Sequence, residues 1–150
     1  MEWRVERATL DDRDAMAAVL EACGLSSVGI LAAGTLYWVC RAEEGVIGTC
    51  GIELGDRCAL LRSVCVMEHH RGKSIADQLI HSALQEAIRL DLQLVYLLSK
   101  DTGGYFERLG WREVPVAQLA ARLPQAPQVR RYDEVGWYPN ERAFVRSDTA

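Results

Sequence analysis

The chain has 150 residues, 49% of them apolar and 25% charged, which is the balance of one folded domain and too apolar for intrinsic disorder. Twenty-one acidic against 17 basic side chains give a formal charge of −4, so the positive field that nucleic-acid binding needs is missing and nucleic acid is not expected as a partner. Five cysteines (Cys23, Cys40, Cys50, Cys58, Cys65) without CxxC or paired-finger spacing read as buried free thiols, and a charged N-terminus with no apolar run of ~18 residues predicts a soluble, cytoplasmic protein without a membrane span.

Trp3 to Ala8 alternates as a first strand, and Thr9 then caps a helix with Asp11 and Asp12 in its positive first turn. Met16, Ala17, Val19, Leu20 and Cys23 form the apolar stripe of that helix, which Gly24 stops. Leu25 to Gly34 reads as a short helix or loop. Strands follow at Leu36–Arg41, Val46–Leu54 and Ala59–Val66, joined by turns at Glu43-Glu44-Gly45 and Gly55-Asp56-Arg57, which makes an antiparallel meander. From Ser74 the period changes: Ala76, Leu79, Ile80, Ala83, Leu84, Ala87 and Ile88 share one face of a long helix. Leu92–Leu98 is nearly continuous in apolar residues, as a central strand buried on both faces must be, and pairs in parallel across that helix as a βαβ unit. A short helix over Thr102–Leu109, a strand over Trp111–Val114, a helical patch over Val116–Leu123, a Pro-rich connection and a terminal strand over Arg142–Arg146 complete the chain. The expected architecture is a single α/β domain over residues 1–150: a mixed sheet, antiparallel meander plus βαβ, with helices on both faces.

The segment from Val64 to Ala76 runs from a strand through a small-residue loop into the best helix. Such a loop aims backbone N–H groups and the positive helix end at one point, which is an anion site. Gly72-Lys73-Ser74 match the end of a nucleotide-triphosphate loop, but Met67 occupies the position of its first glycine, so that reading fails. The other pattern, [QR]-x-x-[GA]-x-[GA], is met by Arg71 and Ala76 with Ser74 in place of the central glycine. This resembles the pyrophosphate loop of the GNAT acyltransferase superfamily. Downstream, Tyr105-Phe106-Glu107-Arg108-Leu109-Gly110-Trp111 is similar to that superfamily's F-Y-x-x-x-G-F segment. Gly51–Asp56, Ala59–Val64 and Tyr96–Ser99 carry a closer resemblance to the bacterial amino-acid acetyltransferase branch, which includes arsenic-resistance N-acetyltransferases and the acetyltransferase domain of N-acetylglutamate synthases.

The resemblance implies acetyl-CoA as co-substrate and the primary amine of a small amino-acid-like molecule as acceptor. It also implies that pantetheine runs along Val64 to Val66 and that the pyrophosphate sits on Arg71, Gly72, Lys73, Ser74, Ile75 and Ala76. The superfamily's proton-donating tyrosine falls at Phe106, which lines the cofactor side instead, with Tyr105 displaced by one position as the substitute acid. Ser99 stands where many members have asparagine, and with Thr102 it is expected to contact the substrate.

Direct attack of an amine on a thioester needs somewhere for the amine proton to go. Glu53 shares a strand face with Ile47, Thr49 and Gly51, and the turn after it brings it near Leu60 and Arg62, so it is the first candidate proton acceptor. The competing reading is an ion pair with Arg62 or Arg57. Arg62, in an apolar strand, either clamps a substrate carboxylate or pairs structurally. His69, His70 and His81 lack metal-site spacing, and no metal is expected. A binding-only acyl-CoA regulator and a protein acetyltransferase stay open as rivals, as does the oligomeric state, a homodimer included.

Overall fold

A computed structural model describes residues 2–100, 104–137 and 141–147. Strands β1 (Trp3–Arg7), β2 (Thr35–Ala42), β3 (Gly45–Leu54) and β4 (Cys58–Val66) pair antiparallel in succession, and β5 (Leu94–Ser99) joins β4 in parallel. β7 (Arg142–Ser147) lies antiparallel between β5 and β6 (Arg112–Val114), so the sheet has seven strands in the order β1-β2-β3-β4-β5-β7-β6. This is the expected mixed sheet, meander first and βαβ after it.

Alternation along each strand feeds two cores. In β2, Trp38 and Cys40 face the helix α2 (Ile75–Arg89), whose Ile75, Leu79, Ala83 and Ala87 recur at helical spacing and are all buried. Tyr37 and Val39 face the opposite way, against Met16, Val19 and Leu20 of α1 (Arg13–Ala22). Further along that second face, Leu60, Tyr96 and Val145 are covered by Leu119 of α4 (Val116–Arg122) and Val129 of α5 (Pro127–Val135). Each fully buried Leu or Val of this kind stabilises by about 1.5–3 kcal/mol.

Several boundaries differ from expectation for local reasons. A 3-10 turn, Leu10–Asp12, precedes α1, and the Thr9 N–H donates to Asp12 Oδ2 at 2.9 Å. Residues 25–34 form turns and no helix. β5 starts at Leu94 because the Leu92 N–H closes the end of α2 on Ala87 O, with Asp91 left-handed at φ 58°. The short helix is α3 (Tyr105–Arg108); Thr102 lies outside the described residues. The Pro-rich connection contains α5, with Pro127 in its first turn, where a missing N–H costs nothing. Among the described residues no helix is long and apolar enough to cross a membrane.

Two features open the sheet at its centre. Parallel pairing of β4 with β5 covers only Cys58–Leu61 against Leu94–Leu97, and the rest of β4 runs on without it. In the same stretch Thr49 opposes Cys65 and Gly51 opposes Arg62, so Ser63 and Val64 together face Cys50; this bulge puts Ser63 at φ 60°.

Candidate active site

Beyond the bulge, β4 delivers Val64, Cys65 and Val66 to a loop containing a 3-10 turn, Glu68–His70. Arg71 is extended, Gly72 has φ +83° and Ser74 has φ 64°, ψ 21°, after which α2 begins. Two left-handed residues in three turn the chain sharply enough to aim the first turn of α2 at the strand end. Ser74 thus holds a backbone conformation that glycine adopts without strain. Among the described residues no side chain caps α2, so its first N–H groups remain available to an anion.

Between strand end and helix start lies a cavity of about 520 Å³, lined by Val64, Val66, Arg71, Gly72, Ser74, Ile75 and Ala76 among others. The Arg71 side chain folds back, its Nε donating to Val66 O at 3.0 Å. Cys23 and Leu25, just past α1, form a further wall. Sequence periodicity assigns Cys23 only to the end of the α1 stripe and Leu25 only to the start of the following short helix or loop. Two residues expected at the cofactor stand apart from this lining. Lys73 Nζ lies 3.1 Å from His70 Nδ1, and Phe106 packs against the Trp111 and Phe144 rings at 6.4 and 5.4 Å between centroids.

The two charged candidates of the meander meet each other. Register places Glu53 opposite Leu60 and Arg62 opposite Gly51, diagonal neighbours on one face. Arg62 Nη1 donates to Glu53 Oε2 at 2.6 Å, with the glutamate side chain fully buried and the arginine side chain 6% exposed. Glu53 Oε1 accepts the Gln128 N–H from the first turn of α5 at 2.9 Å, and Arg62 Nε donates to Ser63 Oγ at 3.0 Å. Both oxygens of Glu53 are therefore engaged by protein. Gly51 makes room for this arrangement: a Cβ there would overlap the ring of Tyr37, whose hydroxyl burial pushes up in pKa.

Tyr105 is exposed on α3 and meets Phe106 edge-on, and Ser99 ends β5 opposite Arg142. The structure does not bring Tyr105 or Ser99 to the lining of the groove. Two of the three histidines set aside on spacing do converge: Glu44 Oε2 lies 3.1 Å from His69 Nε2 and 2.7 Å from His70 Nε2. His70 and then His69 hold the Glu44 carboxyl down at about 2. Spacing alone missed this cluster because Glu44 comes from the β2–β3 turn.

A family model for the acetyltransferase (GNAT) domain matches residues 33–113, more than half of the chain. Among solved structures, an acetyltransferase of the GNAT family from Staphylococcus aureus superposes with TM-score 0.75 at 14% identity, covering 97% of this chain and 98% of its own. A Mycobacterium tuberculosis protein in complex with CoA and NLQ gives TM-score 0.73 at 18% identity over 96% and 98%. N-acetylglutamate synthase from Neisseria gonorrhoeae, complexed with coenzyme A and L-arginine, gives 0.70 at 17% identity over 97% of this chain and 33% of that one. A search of curated proteins by sequence finds no match.

Proposed function

The chain belongs to the GNAT acetyltransferase family, and on that premise we propose that it carries an acetyl group from acetyl-CoA to the primary amine of a small amino-acid-like acceptor, by direct attack in a ternary complex. The observation that supports this best is the groove between the end of β4 and the start of α2. Beyond Leu61 the β5-facing backbone of β4 has no strand partner among the described residues, which suits hydrogen bonding to an extended pantetheine arm. The uncapped first turn of α2 and the Arg71 guanidinium suit a pyrophosphate. Acetyl-CoA supplies the activated thioester: an N–C bond forms, the C–S bond breaks, and the amine proton passes to water. Burial pushes the thiols of Cys40 and Cys65 up to about 11 and about 12, which favours direct attack over an acyl-enzyme route through them.

Glu53 enters this proposal as a positioning residue. With Arg62 on one oxygen and Gln128 on the other, it ties β3, β4 and α5 together, and water takes the proton in its place. Tyr105, exposed on α3 and outside the groove lining, takes no part in this step, and the departing thiolate takes its proton from water.

Turnover is tested by acetyl-CoA-dependent CoA release across a panel of amines, and donor binding by calorimetry on Gly72→Glu. Gly72 is exposed and left-handed, so glutamate adds strain and a negative charge at the anion site without touching the core. Acetyl-CoA affinity is expected to fall at least about tenfold, the loss typical of one disrupted charge-assisted contact. Unchanged affinity in a folded variant overturns the groove assignment. Tight binding without release on any amine overturns the transferase reading.

A further inference from the structure

On the far side of the Glu53–Arg62 pair lies a second cavity, of about 390 Å³, between the 25–34 segment and α5. Val28 and Gly29 form one wall, Pro127 the base of the other, and Arg130, Arg131 and Glu134 line it from α5. Its floor connects to the meander, since a Cβ on Gly29 would lie 3.6 Å from Arg62 Nη1 and 3.2 Å from Pro127 Cβ. The 25–34 segment and its approach serve both cavities, Leu25 lining the first and Val28 the second.

The side chains of Arg130 and Arg131 make no hydrogen bond or ion pair among the described residues, although Glu134 sits four and three positions ahead of them on the same helix. That spacing is used elsewhere in this chain: Arg89 Nη2 meets Glu86 Oε2 at 2.6 Å across i,i+3. Two guanidiniums without protein partners beside one carboxylate leave the cavity with one positive charge in excess, in a chain whose formal charge is −4. Arg62, by contrast, is already engaged by Glu53.

We propose that this cavity is the acceptor site, that it selects an amine bearing a carboxylate, and that Arg130 and Arg131 clamp that carboxylate. The proposal rests on the acetyltransferase reading above and names the acceptor class for it. The planar guanidinium forks suit bidentate carboxylate binding, and Val28 offers apolar surface to the carbon chain between carboxylate and amine. Arg62 lies behind Gly29, held by Glu53, and does not read the substrate. The Glu53–Gln128 contact holds α5 where its arginines line the cavity.

The test compares a carboxylate-bearing amine with its decarboxylated counterpart, in the full chain, for wild type and the Arg130→Ala/Arg131→Ala double variant. Wild type is expected to prefer the carboxylate-bearing amine. The double variant is expected to raise KM for it by about ten- to a hundredfold, the loss of one or two charge-assisted contacts, with kcat within about threefold and acetyl-CoA affinity unchanged. The Lys/Lys variant, which keeps charge and loses the forks, should recover part of the loss. Calorimetric binding of the carboxylate-bearing amine in the presence of CoA provides a readout without turnover. Binding that is lost in the double variant upholds the site even if no amine supports CoA release, in which case the transferase reading alone falls. Absence of binding to wild type, equal KM for both amines, or a KM unmoved in the double variant overturns the acceptor site while leaving the donor groove standing.

Discussion

Ser74 carries a conformational cost at the turn into α2. At φ 64° its Cβ crowds the backbone, at roughly 1–2 kcal/mol, while glycine in its place loses about 0.4–1 kcal/mol through a freer unfolded chain. The balance predicts that Ser74→Gly stabilises the protein by about 0.5–1 kcal/mol and raises Tm by a few degrees, measured by thermal denaturation; an unchanged or lower Tm contradicts it. The buried Glu53–Arg62 pair predicts a different pattern. Arg62→Leu or Glu53→Leu alone strands a buried charge and is expected to cost about 3–5 kcal/mol, while the double variant loses much less than the sum, as urea unfolding would measure. A silent Arg62→Leu would contradict the pair. Both residue types, and their closeness, were legible in the sequence. Their exclusive pairing was not, because it depends on the bulge at Ser63 and on an N–H from Gln128, far along the chain.

At the scale of elements, periodicity read the meander, α2 and the buried β5 well because both cores impose strong patterns on them. It failed at α5, where only Val129 is buried and two prolines flank the start, so the apolar signal that marks a helix is nearly absent. Since α5 supplies both the Gln128 contact and the second cavity, half of the candidate site was hidden with it. Arg41 joins elements in another way: its guanidinium in β2 binds Glu6 of β1 and meets Asp12 Oδ2 at 2.8 Å ahead of α1. The Arg41 side chain holds both carboxyls below their ordinary values. Depressed folded-state values contribute stability that is present above the unfolded carboxyl pKa, about 4, and is lost as pH falls through the folded values. Arg41→Met should therefore destabilise near neutral pH and converge on wild type in acid below those values, by denaturant unfolding at several pH values. A gap that is constant with pH would assign Arg41 to packing alone.

For the molecule as a whole, the thiols divide by the architecture. Cys40, Cys50, Cys58 and Cys65 are buried in the sheet, whereas Cys23 is half-buried on the groove wall, with Arg71 Nη2 3.9 Å from its Sγ. Native alkylation is expected to modify Cys23 first, and CoA to protect it, read by peptide mass spectrometry; equal labelling of the buried four would contradict the closed sheet. The strand order has a consequence of its own during synthesis. β7 follows every other element in the chain, yet it lies inside the sheet, between β5 and β6. Until Arg142–Ser147 has left the ribosome, β5 presents an open edge of Val95, Tyr96 and Leu97, and β6 has no strand to join. The nascent domain is thus most exposed to aggregation and chaperone capture just before β7 emerges, and its sheet closes in one late step.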